Sequence, residues 1–280
     1  MCSFDTLDQK WLVTCIERRI GDRRIVRLIQ KWLKAGVLEE GKWTQSEAGT
    51  VQGGSISPLL ANIYLHYVFD QWVHHWRKTQ AQGDVIVVRY ADDFIGGFQY
   101  RHEAERLLSD LRERFAKFGL ALHPDKTRIV EFGRFARGDR SRRGEGKPET
   151  FNFLGFTHIC GQTRKGKFTV LRKTMRTRLQ AKLKEVYQEL KRRMHDPVPE
   201  QGAYLRSVVG GHIRYYGVPV NGPSLSTFRK EVGWLWWKAL KRRSQKHRPP
   251  WVRMQRLVGR WLPLVRICHP YPFVRVGGIT

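Results

Sequence analysis

The feature that most constrains this sequence is a pair of adjacent carboxylates between two apolar runs. Asp92 and Asp93 separate residues 84–90 from residues 94–98, and both runs have the composition of β-strands. The pattern predicts a hairpin with acid at its tip. Two carboxylates held at a turn suit hard divalent cations such as Mg²⁺, which promote phosphoryl transfer. The alternative is a surface turn in which the aspartates only end a strand.

A glycine-rich loop followed by a helix precedes this hairpin. Gln52, Gly53 and Gly54 lie in a loop that ends in Ser57 and Pro58. Serine is a good N-cap and proline is tolerated at the first helical position, so a helix is predicted to begin at Pro58. Paired glycines let the backbone approach a nucleotide or template closely, and a helix N-terminus favours phosphate. An ordinary glycine turn before a helix is the alternative.

Together the two segments resemble the reverse transcriptases encoded by group II introns. That family combines a QGGxxSPxLxN loop and helix with a YADD hairpin, and residues 52–62 and 90–93 match these motifs in the expected order. Residues 120–127 are similar to the family's motif after the palm helix, and residues 153–156 to its primer-grip hairpin. Residues 211–221 resemble the core of the intron-maturase domain.

The resemblance implies an α+β fold with two parts. We expect a right-hand polymerase palm, an antiparallel sheet with packed helices, in residues 1–171. An α-helical thumb and group II intron maturase-specific domain is expected in residues 172–280. The implied activity is RNA-directed DNA polymerisation with Mg²⁺ as cofactor, together with intron RNA binding and splicing assistance. The implied partners are group II intron RNA, a DNA target or primer, and deoxynucleotide triphosphates.

The resemblance also assigns roles to individual residues. Asp92 is the expected principal metal ligand, and Asp93 is a nearby ligand or a residue that tunes the local charge. Phe4 would read the sugar of the nucleotide, while Lys126 either approaches the leaving pyrophosphate or has a structural role. The full set of expected substrate-binding residues is Phe4, Gln52, Gly53, Gly54, Tyr90 and Lys126.

Residues 4–8 match only the second half of the family's first palm motif. The family's first metal-binding aspartate lies five residues before the position of Phe4, which places it before Met1. We therefore expect this chain by itself to lack that carboxylate and the fingers region and to be inactive as a polymerase, unless a separate fingers fragment supplies them. Asp5 and Asp8 are alternatively caps of a helix over residues 9–16. A non-catalytic intron RNA-binding maturase, or a truncated gene fragment, is the competing function.

The charge of the chain indicates a nucleic-acid partner. There are 52 Lys and Arg residues against 25 Asp and Glu residues, a formal net charge of +27, which exceeds what solubility requires. Residues 1–150 carry a net charge of +5 and residues 151–280 a net charge of +22. The C-terminal half is therefore the predicted polyanion-binding part. The sequence has no long apolar run and no signal-peptide pattern, so we expect no membrane partner and a cytoplasmic location.

Cations and aromatic residues are interleaved in the C-terminal half. A helix over residues 175–194 has one apolar face, and cations with little acid occupy the rest of its circumference. Trp234, Trp236 and Trp237 either stack on unpaired bases or form the core of a small bundle. Tyr215 and Tyr216 pose the same choice. The expected RNA-binding residues are Lys182, Lys184, Arg192, Arg193, Arg214, Lys241, Arg242 and Arg243.

The remaining periodicities predict the other elements of the chain. Helices are expected over residues 7–19, 22–35, 58–78, 103–118, 200–216 and 224–245. Strands are expected over residues 84–90, 94–99, 127–132, 151–157 and 168–171. Residues 134–149 are rich in Arg and Gly and are predicted to form a flexible loop near nucleic acid or a disordered insertion.

Overall fold

The computed structural model describes residues 8–34, 37–39, 42–44, 56–163, 165–243 and 249–271. The chain divides into two compact units, residues 1–129 and 130–280, each with its own apolar core. This division falls earlier than position 171/172, the predicted boundary between palm and thumb, which lies inside a β-strand. Within these ranges no helix combines the length and the apolar character needed to cross a membrane.

The first unit packs helices against a β-hairpin. Its core includes the buried residues Leu12, Ile16, Leu60, Tyr64 and Leu111. Strand β1 pairs with β2, and β3 pairs with β4, both in antiparallel orientation. The elements are α1 (Gln9–Glu17), α2 (Arg23–Lys34), β1 (Val37–Glu39), β2 (Lys42–Thr44), α3 (Ser57–Leu65), α4 (Gln71–Thr79), β3 (Val85–Tyr90), β4 (Asp93–Phe98) and α5 (Arg101–Lys117).

The starts of α1 and α3 test the predicted caps. Asp8 Oδ1 accepts hydrogen bonds from the backbone N–H groups of Lys10 (2.8 Å) and Trp11 (3.4 Å), so its predicted capping role is confirmed. Asp5 lies outside the described residues. The predicted start of α3 was wrong by one residue, because Ser57 is already helical and Ile56 occupies the N-cap position.

A π-helical turn, His66–Asp70, interrupts the helix predicted over residues 58–78. It separates α3 from α4, and its final backbone bond runs from Gln71 N–H to the His66 carbonyl. The Val68 carbonyl inside the turn accepts a hydrogen bond from Arg114 Nε at 2.6 Å. A side-chain donor at a helix carbonyl is one of the recognised causes of a break in regular α-helical bonding. Single π-turns of this kind are frequent at functional sites.

The second unit contains a three-stranded antiparallel sheet followed by helices. The sheet has the order β5-β6-β7. Buried side chains from four helices form the core of the second unit; they include Leu190, Leu205, Phe228 and Met254. The apolar face predicted within residues 175–194 packs into this core. The elements are α6 (Ala136–Arg142), β5 (Phe151–Phe153), β6 (Phe156–Gln162), β7 (Phe168–Thr174), α7 (Arg176–Arg192), α8 (Val198–Tyr216), α9 (Gly222–Lys241) and α10 (Trp251–Trp261).

Two buried amide side chains connect the elements of the second unit. Asn221 Oδ1 accepts from the Thr174 backbone N–H at 2.9 Å, and its Nδ2 donates to Thr174 Oγ1 and the Tyr216 carbonyl, both at 2.8 Å. Gln201 Oε1 accepts from Trp236 Nε1 at 2.8 Å, while Gln201 Nε2 donates to the Arg193 carbonyl. Buried polar groups with satisfied bonds favour one register of the packed elements over others.

Several local predictions were wrong. Residues 127–132 form no strand, because no described segment pairs with them. Residues 134–149, predicted as a flexible loop near nucleic acid or a disordered insertion, contain α6. Arg140 in this helix and Arg143 just after it pair with nearby carboxylates including Glu131 and Glu145. Nearby carboxylates thus neutralise arginines that the sequence composition had suggested were available to nucleic acid. Residues 151–157 form a hairpin instead of one strand, and α10 was not predicted.

Candidate active site and nucleic-acid interface

The acidic hairpin predicted from the sequence is present, and Asp92 lies in its turn. Tyr90 pairs with Asp93 across the ladder, so Ala91 and Asp92 form a two-residue connection. Ala91 has a φ of 52°, and a positive φ at the first turn residue is the pattern of a type II′ turn. This conformation costs an alanine about 1–2 kcal/mol. Such strain persists only where the surroundings stabilise it.

The guanidinium of Arg89 stabilises this turn through four hydrogen bonds. Its Nε and Nη2 donate to the two carboxylate oxygens of Asp70 at 2.7 and 2.6 Å. Its Nη1 donates to Asn62 Oδ1 at 2.9 Å and to the Ala91 carbonyl at 2.8 Å. The Arg89 side chain is only 13% exposed. We call this set of four residues, Asn62, Asp70, Arg89 and Ala91, the turn clamp.

The turn clamp connects the two motifs that were separate in the sequence. Asn62 belongs to the glycine-loop helix motif, and Asp70 is the last residue of the π-turn. Asn62 is the last residue of the QGGxxSPxLxN motif recognised in the sequence, whereas the sequence motifs assigned no role to Arg89 or Asp70. A signal in the sequence does point to this pair. Arg89 is a cation and Asp70 an anion, each in an otherwise apolar segment, and buried charges are normally paired.

The two faces of the hairpin differ in burial. On one face Val85 is buried and Phe94 lies with its ring centroid 4.7 Å from that of Phe69 in the core. On the other face Ile86, Val88 and Tyr90 are 66%, 52% and 64% exposed. The acidic turn therefore projects from a packed support and borders an open apolar strand surface.

Asp92 and Asp93 offer the oxygen donors that Mg²⁺ prefers. This ion is usually held by one or two carboxylates and completes its octahedron with water and substrate phosphates. No third Asp, Glu, His or Cys joins the pair in a cluster within the part of the chain that the structure describes. The pair fits a magnesium ion that takes its other ligands from water, from substrate or from a further carboxylate.

The structure brings together only some of the predicted substrate-binding residues. Tyr90 flanks the acidic turn, with its ring exposed. Lys126 is exposed in a separate turn, where its backbone N–H donates to the His123 carbonyl at 3.3 Å. The predicted residues Phe4, Gln52, Gly53 and Gly54 lie outside the described residues.

The segment that resembles the family's primer-grip hairpin, residues 153–156, also forms a hairpin, as the β5–β6 turn. Leu154 and Gly155 have φ values of 48° and 76°, the pattern of a type I′ turn. Tyr215 Oη donates to the Leu154 carbonyl at 3.1 Å, and the Met175 N–H donates to the Gly155 carbonyl at 2.9 Å. A Cβ on Gly155 would lie 2.7 Å from Tyr216 Oη. Two adjacent tyrosines of α8 thus contact this turn, Tyr216 half-buried and Tyr215 exposed.

The predicted RNA-binding cations fall into two groups. Some are engaged within the protein: Lys182 pairs with Glu185, Arg192 and Arg193 pair with Glu189, and Arg243 donates to the Asp196 carbonyl. The hydrogen bond from Arg193 to Glu189 raises the pKa of that guanidinium. The second group has no ion pair with a described carboxylate and comprises Lys184, Arg214, Lys241 and Arg242.

A buried histidine lies in the maturase-like segment. His212 is 7% exposed and stacks on Phe228 with a centroid distance of 3.7 Å. The ring of Tyr216 lies 4.5 Å away on another side. Burial, with a smaller contribution from the charge of Lys182, lowers the pKa of His212 from 6.5 to about 4. The imidazole is therefore neutral in the folded protein at neutral pH.

We expect the protein to lose stability as the pH falls from 6.5 towards 4. In this interval the unfolded chain binds a proton at His212 that the folded chain does not, so protonation favours unfolding. The free energy of unfolding should fall by roughly 3 kcal/mol once the pH is below the pKa of His212 in the folded protein. Above the pKa of His212 in the unfolded chain there should be no such fall. Urea unfolding at several pH values measures it. His212→Phe should reduce this pH dependence, whereas His195→Phe at an exposed position should not. Equal pH dependence in both variants would contradict the assignment.

These features define a class of protein. A mixed helical and antiparallel β-structure that presents paired aspartates at a hairpin turn fits the palm of a template-directed polymerase. Residues 2–158 match the family described as "Reverse transcriptase (RNA-dependent DNA polymerase)". The match covers more than half of the chain, so the chain belongs to the reverse transcriptase family.

Its relatives connect the chain with group II introns, as the motifs predicted. Group II intron-encoded protein LtrA of Lactococcus lactis subsp. cremoris is 49% identical over 63 residues, which are 22% of this chain and 10% of that protein. Protein YkfC of Escherichia coli (strain K12) is 34% identical over 118 residues, with 33% of this chain and 31% of that protein covered. The "Uncharacterized 91 kDa protein in cob intron" of Schizosaccharomyces pombe is 39% identical over 75 residues, 27% of this chain and 9% of that protein. The matches thus span between about a tenth and a third of these relatives.

Proposed function

We propose that this chain supplies the polymerase palm and the RNA-binding thumb/maturase part of a group II intron reverse transcriptase. Residues 1–171 would correspond to the palm and residues 172–280 to the thumb and maturase domain. The substrates would be deoxynucleotide triphosphates, a DNA primer and an RNA template, and intron RNA would be the partner in splicing. The observation that carries this proposal is the acidic turn, in which the family's paired aspartates are fixed by the turn clamp.

Several residues of the chain have distinct tasks in the proposed reaction. A bound Mg²⁺ would neutralise triphosphate charge and promote attack of the primer 3′-oxygen on the α-phosphate. Asp92 and Asp93 hold their carboxylates where that charge is needed. Arg89 limits movement of the turn through its hydrogen bond to the Ala91 carbonyl. This matters for catalysis because a misplaced metal ligand loses much of the advantage of pre-organisation. The exposed ring of Tyr90 would lie beside the reacting groups.

The remaining substrate contacts come from other segments in this proposal. Gln52, Gly53 and Gly54 would position the nucleotide or template, Phe4 would discriminate its sugar, and Lys126 would approach the pyrophosphate. The resemblance to the family motifs supports these roles.

The small number of metal-binding carboxylates at the acidic turn favours a second candidate function. Asp92 and Asp93 have no third carboxylate beside them among the described residues. A chain that binds intron RNA without polymerising would need none. The test is primer extension on an RNA template by a version of the chain that carries a third carboxylate. Synthesis by this version supports the polymerase, and no synthesis supports the RNA-binding maturase.

The second unit has the electrostatics that RNA binding requires. Residues 151–280 contain only five acidic side chains, and ion pairs occupy Glu185, Glu189 and Asp196. Most of the net charge of +22 in this segment is therefore uncompensated by the protein itself. RNA phosphates would neutralise these cations, which displace the counterions condensed on the RNA, and the resulting affinity depends strongly on salt.

We expect the triple variant Lys184→Gln, Arg214→Gln and Arg242→Gln to bind every RNA more weakly. Because each phosphate contact adds roughly 0.7–0.9 to the slope of log affinity against log salt, the slope should fall by roughly two. Filter-binding titrations at several salt concentrations measure it. The matched control is a triple variant of exposed cations in the first unit, Arg77→Gln, Lys78→Gln and Arg112→Gln. An equal fall in slope for both variants would show that the contacts are not concentrated in the second unit.

A further inference from the structure

Three tryptophans meet on the surface of the second unit. Trp234 and Trp237 belong to α9 and Trp251 begins α10; their ring centroids are 4.9, 5.2 and 6.0 Å apart. Trp234 is 47% and Trp251 38% exposed. Trp236, their neighbour in sequence, is fully buried and donates to Gln201. Trp237 also packs against the core, and its Nε1 donates to the Pro249 carbonyl at 2.9 Å, so the two exposed rings, Trp234 and Trp251, are the ones that need a different explanation.

Cations surround this cluster. Lys241 Nζ lies 3.9 Å from the ring centroid of Trp237. On α7, Tyr187 lies between Lys191 and Lys238, whose Nζ atoms are 4.7 and 5.4 Å from its ring centroid. We call the seven residues the aromatic–lysine patch: Tyr187, Lys191, Trp234, Trp237, Lys238, Lys241 and Trp251.

On α7 the acids near the patch are Glu185 and Glu189, and both pair with cations outside it, Lys182, Arg192 and Arg193. Positions 234, 237, 238 and 241 share one face of α9, since residues three and four apart are neighbours on a helix. Glu231 is the only acidic residue of α9, and α10 has none. None of the three lysines of the patch forms an ion pair with a carboxylate in the described ranges.

A ligand that fits this surface carries negative charge and flat apolar faces at the same time. Nucleotides combine both properties in one repeating unit. In a duplex the faces of the bases are already stacked on each other, whereas an unpaired strand leaves them available to aromatic side chains. We propose that the aromatic–lysine patch is a stacking site for unpaired nucleobases of single-stranded RNA, with the lysines at the flanking phosphates. This inference rests on the proposed RNA binding and specifies which form of RNA this surface takes.

The test uses the full chain and the double variant Trp234→Leu, Trp251→Leu. Leucine keeps an apolar side chain at both positions and removes the aromatic faces, while Trp236 and the core are unchanged. The probes are an oligouridine and a blunt-ended RNA duplex with the same number of phosphates, which leaves no base unpaired. We expect a loss of roughly tenfold or more in affinity for oligouridine, because stacking of each base contributes about that factor. Affinity for the duplex should change less than about twofold, and the salt slope should stay the same, because charge is unaltered.

Two further variants make the result specific. Trp234→Phe with Trp251→Phe should restore most of the oligouridine affinity, since phenyl rings also stack. Trp32→Leu removes a similarly exposed tryptophan of the first unit, 44% exposed, and should have no effect. Circular dichroism and urea unfolding check that each variant is folded.

The outcomes separate this inference from the proposal beneath it. If the parent protein binds neither probe, RNA binding itself fails and the stacking site fails with it. If the parent binds both and the leucine variant binds oligouridine equally well, only the stacking site is overturned. A parallel loss for oligouridine and duplex also overturns it, because a stacking site for unpaired bases would not affect binding of a duplex. Self-association that the leucine variant abolishes, with RNA affinity unchanged, would identify the patch as an interface between copies and overturn it too.

Discussion

Primer extension by a completed form of this chain should fall at least about a hundredfold when Asp92 is replaced by Asn. A metal ligand at the reacting phosphates contributes several kcal/mol of charge stabilisation, and each 1.36 kcal/mol corresponds to a factor of ten. Asparagine is nearly isosteric but neutral, so the turn should keep its shape while the affinity for Mg²⁺ falls. The completed form carries a family-like fingers segment with an aspartate five positions before Phe4.

The measurement is incorporation of deoxynucleotides on an RNA template, compared across three proteins. The 280-residue chain without the added segment should show no synthesis, because within the described residues no third acidic side chain joins Asp92 and Asp93 to hold the metal ion. The completed parent should be active. Asp84→Asn is the matched control, since Asp84 is exposed on the same hairpin at the end away from the turn. Synthesis by the unmodified chain above that of its own Asp92→Asn variant would show that another group already completes the site.

The acidic hairpin could be predicted because its signals are local. Two apolar runs, a polar dipeptide between them and the recurrence of apolar residues in α5 and α7 each depend on neighbours a few positions apart. The same holds for the N-cap at Asp8. Local signals of this kind survive in the folded chain when the tertiary structure does not oppose them.

The turn clamp could not be predicted in this way. Arg89 and Asp70 are 19 residues apart, and Arg89 and Asn62 are 27 apart. Their contact exists because the hairpin and the helix pack on one core, and the π-turn fixes where Asp70 points. The same limit applies to the cations of the second unit. Composition showed that acids are few, but only the fold shows that Glu189 serves both Arg192 and Arg193 while Lys184 has no described carboxylate partner.

Arg89→Met should destabilise the protein and also slow synthesis by the completed enzyme. The side chain of Asp70 is one-third exposed and keeps His66 Nδ1 at 3.5 Å, so loss of Arg89 should cost roughly 2 kcal/mol, less than the 3–5 kcal/mol typical of a fully buried pair. The Ala91 carbonyl would lose its bond as well, and the strained turn would be free to relax. We expect kcat to fall about tenfold to a hundredfold, because small misplacements of catalytic groups have effects of this size. Arg89→Lys should recover only part of the loss, since one ammonium cannot reproduce the planar set of donors.

A second variant distinguishes positioning of the turn from simple stability. Arg89→Met combined with Asp70→Leu removes both charges, and replacing an ion pair by apolar side chains is often neutral for stability. Urea unfolding should therefore show the double variant to be close to the parent. Its kcat should stay low, because the Ala91 carbonyl still lacks its donor and Arg89 no longer holds the turn that carries Asp92. If kcat returns together with stability, Arg89 acts only by holding the fold together and the turn needs no clamp. If stability returns and kcat does not, the hydrogen bond to the turn is what aligns the aspartates for metal binding.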